Sequence, residues 1–92
     1  MNKEGLIDHV AASTGETRKQ VLQVLDAILA GITDALRRDE KVTLVGFGTF
    51  QVRARAAREG RNPRTGERIQ IPARKAPAFT AGKDLKTELS RP

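Results

Sequence analysis

The sequence has no cysteine, tryptophan or tyrosine, and its only aromatic residues are three phenylalanines. Without cysteine the chain forms neither disulfides nor thiolate metal sites, which fits a reducing compartment. Its single histidine, His9, belongs to no visible catalytic or metal-ligand cluster, and the adjacent Asp8 would point roughly 100° away from it on a helix. We therefore expect His9 at the surface, and we expect no enzyme, metal, cofactor or small-molecule substrate.

Long apolar runs are also absent. No stretch approaches the roughly 18 residues that a membrane span requires, and the amino terminus does not resemble a signal peptide. The protein is therefore expected in the cytoplasm, without a membrane partner. A chain of 92 residues with so few aromatic side chains can build only a small core, so we expect oligomerisation to stabilise it.

Positive charge, by contrast, is concentrated in one segment, residues 53–75. Eight basic side chains stand there against the two acidic side chains of Glu59 and Glu67, so this segment carries the whole formal charge of +6. A charge that is so localised indicates a polyanionic partner. The basic residues of the segment are Arg53, Arg55, Arg58, Arg61, Arg64, Arg68, Arg74 and Lys75.

The same segment has the pattern of a β-ribbon. Residues 62–66, Asn-Pro-Arg-Thr-Gly, are typical of a turn, and apolar and polar residues alternate at 52–56 and 68–71. We predict a ribbon with Pro63 at its tip, whose distal half protrudes. The alternative is a solvated, partly disordered loop with incidental arginines.

Two helices are predicted before this ribbon. Asn2 is a plausible N-cap for a helix over residues 3–13 that stops at Gly15, and Thr17 with Gln20 forms a capping box for the second. The second helix ends in a polar turn at residues 37–40 and carries a wide apolar stripe. One face should pack on the first helix and the other on a second subunit. Both faces could instead meet the sheet of the same chain, but so short a chain has little sheet to offer.

The remaining elements are short. Residues 41–45 are predicted to form a strand, followed by a tight Gly-Phe-Gly turn that places Phe47 in the core, with Phe50 nearby. That turn matches neither a nucleotide-binding loop nor an RNA-recognition motif. Pro72 and Pro77 favour an edge strand. A last helix over about residues 82–89, capped by Thr80, would present Lys83 and Lys86 on one side, which an ordinary solvated helix surface also explains.

Several of these motifs carry a family resemblance. Residues 44–50 (LVGFGTF), 60–66 (GRNPRTG), 77–79 (PAF) and 82–86 (GKDLK) occur in an order that resembles the bacterial histone-like HU family, which includes integration host factor. The likeness covers essentially the whole chain. HU and integration host factor are themselves standard examples of architectural proteins that bind the DNA minor groove.

The resemblance implies an α+β fold in an intertwined dimer, with a helical body, an antiparallel β-sheet saddle and two protruding β-ribbon arms. The chain would be one domain over residues 1–92. Its helical dimerisation region would span residues 1–40, its sheet 41–80 with the arm at about 53–75, and its C-terminal helix 81–92. The protein would bind, bend, wrap and stabilise double-stranded DNA in the bacterial nucleoid, with little sequence specificity. It would be a homodimer, or a heterodimer with a paralogue.

The resemblance also implies roles for individual residues. Pro63 would intercalate between base steps, and the arginines of the arm would follow the minor groove and its phosphates. Three residues would line the saddle, and three lysines would hold flanking DNA. The candidate DNA-binding residues are Arg55, Arg58, Arg61, Asn62, Pro63, Arg64 and Arg68 in the arm, Arg53, Arg74 and Lys75 at the saddle, and Lys3, Lys83 and Lys86 on the body.

Three questions stay open at this point. Glu59 and Glu67 could weaken DNA affinity or pair with neighbouring arginines. A sequence-preferring DNA bender of the integration host factor type is a second hypothesis. A scaffold whose basic arm grips RNA or another polyanion is a third.

Overall fold

The computed structural model describes residues 1–92 and contains three helices and two antiparallel sheets. It divides into two compact units, residues 1–34 and 35–92. These elements confirm the predicted α+β class. None of the helices combines the length and the apolar character needed to cross a membrane. The elements are α1 (Lys3–Thr14), α2 (Arg18–Arg37), β1 (Val42–Leu44), β2 (Gly48–Arg55), β3 (Arg58–Arg61), β4 (Arg68–Ile71), β5 (Arg74–Ala81) and α3 (Lys83–Ser90).

The ends of the first two helices are set by local capping. The Asn2 side chain accepts a hydrogen bond from the Gly5 N–H at 2.8 Å, and α1 ends at Gly15, whose φ is 76°. Ahead of α2, the Thr17 hydroxyl accepts from the Gln20 N–H and the Gln20 side chain accepts from the Thr17 N–H, both at 3.1 Å. These bonds satisfy backbone groups that a helix leaves unpaired at its ends, and they confirm the predicted caps.

In the unit formed by residues 1–34, the packing of α1 against α2 is thin. Ile7 is 2% exposed and Val21 8% exposed, and they are the only apolar residues of this unit that are fully buried. Arg18 forms ion pairs with both Glu4 and Asp8 and so ties the start of α2 to α1. Large apolar side chains of α2, among them Val24 and Ile28, remain exposed in the single chain.

The three-stranded sheet has the order β1-β2-β5 and is antiparallel throughout. The Phe79 ring on β5 lies between the rings of Phe47 and Phe50, with centroid distances of 5.5 and 5.0 Å. A Cβ atom at Gly48 would lie 2.5 Å from the Phe79 ring, so glycine is required where β2 begins. Phe47 is still 46% exposed, so the expectation that it is buried in the core does not hold within one chain.

Two further details of the prediction are wrong, and the first concerns the last helix. Thr80 does not cap it: Thr80 lies in β5 opposite Thr49, and α3 starts after Gly82 without a side-chain cap. The reason is that the Gly82 N–H donates to the Phe47 carbonyl at 2.8 Å, which keeps the chain extended alongside the sheet up to that point.

The second detail is the ribbon, which is not continuous. Residues 56–57 and 72–73 belong to no strand, and β3 and β4 form a separate two-stranded sheet. We call residues 56–57 and 72–73 the break, and residues 58–71 the hairpin. Proline at position 72 has no N–H to donate to a ladder, which is consistent with the strands parting there.

Candidate nucleic-acid interface

The register of the three-stranded sheet sorts its side chains onto two different faces. On one face of the β2-β5 pair lie Thr49 opposite Thr80, Gln51 opposite Ala78, Arg53 opposite Ala76 and Arg55 opposite Arg74. On the other face lie Phe50 opposite Phe79, Val52 opposite Pro77 and Ala54 opposite Lys75. Directly opposed residues of an antiparallel pair share a face, so one face is polar and basic and the other largely apolar.

The polar face combines hydrogen-bonding side chains with positive charge. The hydroxyls of Thr43 and Thr49 lie 3.2 Å apart, and the Gln51 amide donates to the Thr80 hydroxyl at 3.2 Å. Arg53 continues this face toward the break. No strand of this sheet contains an acidic residue, so no side chain of the strands on this face would repel an anion.

The hairpin is closed by the turn that the sequence predicts. The Asn62 side chain accepts from the Arg64 N–H at 2.9 Å, the Asn62 N–H donates to the Glu67 carbonyl at 2.8 Å, and Gly66 has a φ of 75°. Pro63 lies in this turn and is exposed. The prediction of a turn around Pro63 between two strands is therefore confirmed.

The hairpin also has two unlike faces. Ile69 and Ile71 lie over Gly60, where an added Cβ atom would approach the Ile71 side chain to 2.9 Å. The other face pairs Glu59 with Gln70 and Arg61 with Arg68. The alternation at residues 68–71 therefore places the two isoleucines on one face and Arg68 and Gln70 on the other, and Arg58 shares the isoleucine face opposite Ile71.

Charge pairing divides the candidate residues into two groups. No side chain among the seven arginines at positions 53–74 forms an ion pair or a hydrogen bond within the chain. Glu59 and Glu67 form no ion pair either, so in the free chain they do not neutralise neighbouring arginines. Lys75 contacts Asp39 at 2.9 Å and Lys3 contacts Asp26 at 2.7 Å.

The sequence matches the model of a family described as bacterial DNA-binding protein over residues 1–90. It is 55% identical over 86 residues to the DNA-binding protein HU of Geobacillus stearothermophilus, covering 94% of this chain and 96% of the relative. The chain belongs to the bacterial HU family. The DNA-binding protein HU-beta of Serratia marcescens is 54% identical over 86 residues, which cover 94% of this chain and 96% of that relative. HU-family proteins are architectural rather than catalytic, which confirms the expectation that the chain is not an enzyme.

Solved HU structures agree with this assignment. A cocrystal structure of Anabaena HU with DNA has 50% sequence identity and a TM-score of 0.91, with full coverage of both chains. HU from Thermotoga maritima has 37% identity and a TM-score of 0.70, covering 98% of this chain and all of that one. Both identities are high enough to support the family as well as the fold.

Within this HU chain, the structure brings together only some of the predicted saddle residues. Arg53 and Arg74 share the polar face with Arg55, whereas Lys75 lies on the opposite face and is paired with Asp39. Lys83 and Lys86 are exposed on the first turn of α3. Their roles toward DNA stay predictions, as do those of the arm residues.

Sequence analysis missed the row of neutral side chains on the polar face. Thr43, Thr49, Gln51 and Thr80 lie on one surface with the basic residues, and they provide hydroxyl and amide groups. The signal that could have found them is the alternation of polar and apolar residues in β2, which the prediction applied only from Val52 onward.

Proposed function

We propose that this HU chain forms a dimer that binds duplex DNA through its polar sheet face and its two hairpins. It contacts the minor groove, bends the duplex and reads little sequence. One functional domain spans residues 1–92, and the dimer acts in the bacterial nucleoid. The observation that carries the proposal is the set of unpaired arginines at positions 53–74, which lie on a hairpin with an exposed proline in its turn and on the sheet next to it.

The unpaired arginines support a polyanion with closely spaced phosphates. Because these guanidiniums have no carboxylate partner, their charge is not offset within the chain and all their N–H donors are open to a phosphate. They are distributed along the sheet face and both strands of the hairpin, which fits a ligand that extends along the segment. Duplex DNA is such a ligand, with one negative charge per about 1.7 Å of helix axis.

Dimerisation is supported by what the single chain leaves exposed. Within residues 1–34, an apolar groove of about 410 Å³ is lined chiefly by Leu6, Val10, Val24, Leu25 and Ile28. In residues 35–92, the rings of Phe47 and Phe79 are 46% and 44% exposed. A second copy that covered these surfaces would supply the core that 92 residues do not supply alone. A homodimer is the proposed state.

Bending is assigned to Pro63. Proline has no N–H to read a base edge, but its rigid apolar ring can fill the gap between two unstacked bases. The unstacking costs a few kcal/mol per step, and additional phosphate contacts on the bent duplex offset it. Lys3, Lys83 and Lys86 are proposed to hold the flanking DNA, and Lys3 would leave Asp26 to do so.

A competition assay tests the proposal. Linear, nicked and pre-bent duplexes of unrelated sequence compete for the protein, and we expect the nicked and pre-bent duplexes to bind more tightly, with little effect of sequence. Discrimination above about 10³ between two arbitrary duplexes would favour a protein of the integration host factor type. Deletion of residues 58–67 with no loss of duplex affinity would favour the polyanion scaffold.

A further inference from the structure

The break in the ribbon contains a hollow of about 300 Å³, lined by arginines that the proposed function assigns to DNA without assigning them to a particular phosphate. It is lined by Arg55, Ala56, Arg58, Ile71, Pro72 and Arg74. Three of these six residues are arginines and none is acidic. The hollow lies where the three-stranded sheet ends and the hairpin begins, because β2 ends at Arg55, β3 begins at Arg58 and β5 begins at Arg74.

The three arginines form an arrangement that favours an anion. Arg55 lies directly opposite Arg74 in the β2-β5 ladder, and like charges in that position repel each other. None of the three forms an ion pair within the chain. A phosphate group accepts two parallel N–H bonds from one guanidinium, so it would both relieve the repulsion and satisfy several donors.

A second hollow on the hairpin provides a comparison within the same chain. It measures about 320 Å³ and is lined by Glu59, Gly60, Arg61 and Arg68. Arg61 also lies directly opposite Arg68, but here a carboxylate is part of the lining. The local field for an anion is therefore weaker, although the number of opposed arginines is the same.

We propose that the hollow at the break binds a single phosphate group, and that this binding fixes the angle between the hairpin and the sheet. Only residues 56–57 and 72–73 connect the two sheets, and neither pair belongs to a ladder. One phosphate held by Arg55, Arg58 and Arg74 would bridge the ends of three strands across these connections. The phosphate could come from the DNA backbone, in which case the inference rests on the proposed function, or from a free phosphate compound.

The test with a free phosphate compound uses the full-length protein and pyrophosphate. Nuclear magnetic resonance follows the arginine side-chain N–H signals and the exchange of the backbone amides at positions 56, 57 and 73. We expect saturable shifts at Arg55, Arg58 and Arg74, together with slower amide exchange at the break. Sodium chloride at the same ionic strength should produce neither effect.

Paired variants locate the site. Arg55→Gln with Arg74→Gln should weaken pyrophosphate binding at least about tenfold, because the variant no longer forms these charge-assisted hydrogen bonds. Arg61→Gln with Arg68→Gln removes the same charge from the other opposed pair and should leave binding within about twofold. Equal reductions in both double variants, or shifts spread evenly over all seven arginines, would overturn the site. Circular dichroism checks that both variants are folded.

The test with DNA uses a short duplex and the same two double variants. At saturating duplex, wild-type protein and the Arg61/Arg68 variant should show slowed amide exchange at the break, and the Arg55/Arg74 variant should not. If amide exchange at the break is also slowed in the Arg55/Arg74 variant, then Arg55 and Arg74 do not fix the hairpin. If neither double variant weakens duplex binding, the proposed DNA contacts of these arginines fail, while the pyrophosphate result still decides the anion site.

Discussion

At the scale of single residues, Asp39 combines an unfavourable backbone conformation with a favourable charge contact. Its φ is 57°, the only positive φ outside glycine, and its carboxylate pairs with Lys75 at 2.9 Å. It occupies the position after α2 that glycine usually takes, and the Glu40 N–H donates back to the Ala35 carbonyl at 2.9 Å. The left-handed conformation costs about 1 kcal/mol, and the stabilisation from an exposed ion pair is at most about equal to that cost.

Substitutions of Asp39 should separate these two contributions. Asp39→Gly removes both, so we expect a change in the free energy of unfolding between about zero and 1 kcal/mol in the stabilising direction. Asp39→Ala raises the backbone cost, because aspartate tolerates the left-handed region better than alanine, and it removes the ion pair, so we expect destabilisation by about 1 to 2 kcal/mol. Urea unfolding at a fixed protein concentration measures both. An equal decrease of stability in the two variants would contradict this account.

Pro63 tests bending separately from binding. Pro63→Ala removes the rigid ring but no charge, so the bend and the preference for nicked duplex should decrease while most of the affinity remains. Energy transfer between dyes at the two ends of a short duplex, at saturating protein, measures the bend. If Pro63 only shapes the turn, the end-to-end distance will be unchanged and intercalation by Pro63 is ruled out.

At the scale of elements, the hairpin should contribute affinity without sequence preference. Arg61→Ala with Arg64→Ala removes two unpaired guanidiniums while Asn62 and Gly66 keep the turn. We expect weaker binding to every duplex, and a plot of log K against log salt that is less steep by about one unit for each phosphate that the variant no longer neutralises. Pro63→Ala serves as the control that keeps the charge. Weaker binding confined to one sequence would point to base readout instead.

The elements that the sequence predicts well are those controlled by neighbouring residues. Asn2, the Thr17-Gln20 pair and the turn at Asn62 act within three to five positions, so their capping and turn bonds follow from local chemistry. The predicted role of Thr80 is wrong because its position is decided by pairing with Thr49, which is distant in the sequence. The contact of Lys75 with Asp39 joins positions 36 apart, and no local pattern indicates it.

The candidate site follows the same division. The concentration of arginines and the turn around Pro63 are both visible in the sequence. The break is not, because alternation continues through Ala56 even though the β2-β5 ladder ends at Arg55. Which arginines oppose each other depends on register, and register depends on pairing between distant strands.

At the scale of the whole molecule, stability and association should be inseparable. Ile28 is 50% exposed in the single chain and lines the apolar groove of the helical unit, so Ile28→Asp would cost little in a monomer. In the proposed dimer the exposed half of the side chain is also buried, so the substitution would remove a further ~1 to 1.5 kcal/mol of apolar burial per subunit and would place a charge in the interface. We expect sedimentation to show dissociation together with a lower melting temperature. Gln23→Asp, at an exposed position of the same helix, is the control. A folded wild-type monomer at micromolar concentration would refute the dimer.

The charge of the molecule is divided unevenly between its two compact units. Residues 1–34 contain three basic and five acidic residues, whereas residues 35–92 contain fourteen basic and six acidic residues. Almost all attraction for a polyanion therefore comes from the second unit, and there the arginines at positions 53–74 have no carboxylate partner to give up. Binding should be governed by the release of counterions from DNA.

The salt dependence of duplex binding measures the release of counterions directly. If each dimer neutralises roughly 6 to 10 phosphates, log K against log salt should have a slope of about −5 to −9, with nearly the same value for unrelated duplexes. Ion pairs within the protein modify this slope, because Asp26 and Asp39 offset the charges of Lys3 and Lys75 and compete with phosphate for them. Asp39→Asn frees Lys75 before binding but also removes a negative charge, so tighter duplex binding that is lost when Lys75→Gln is added would show that Lys75 reaches DNA. Unchanged affinity of the Asp39→Asn variant would restrict the proposed DNA contacts of the sheet to its polar face. A nearly flat salt dependence in the wild-type protein would contradict binding by phosphate neutralisation.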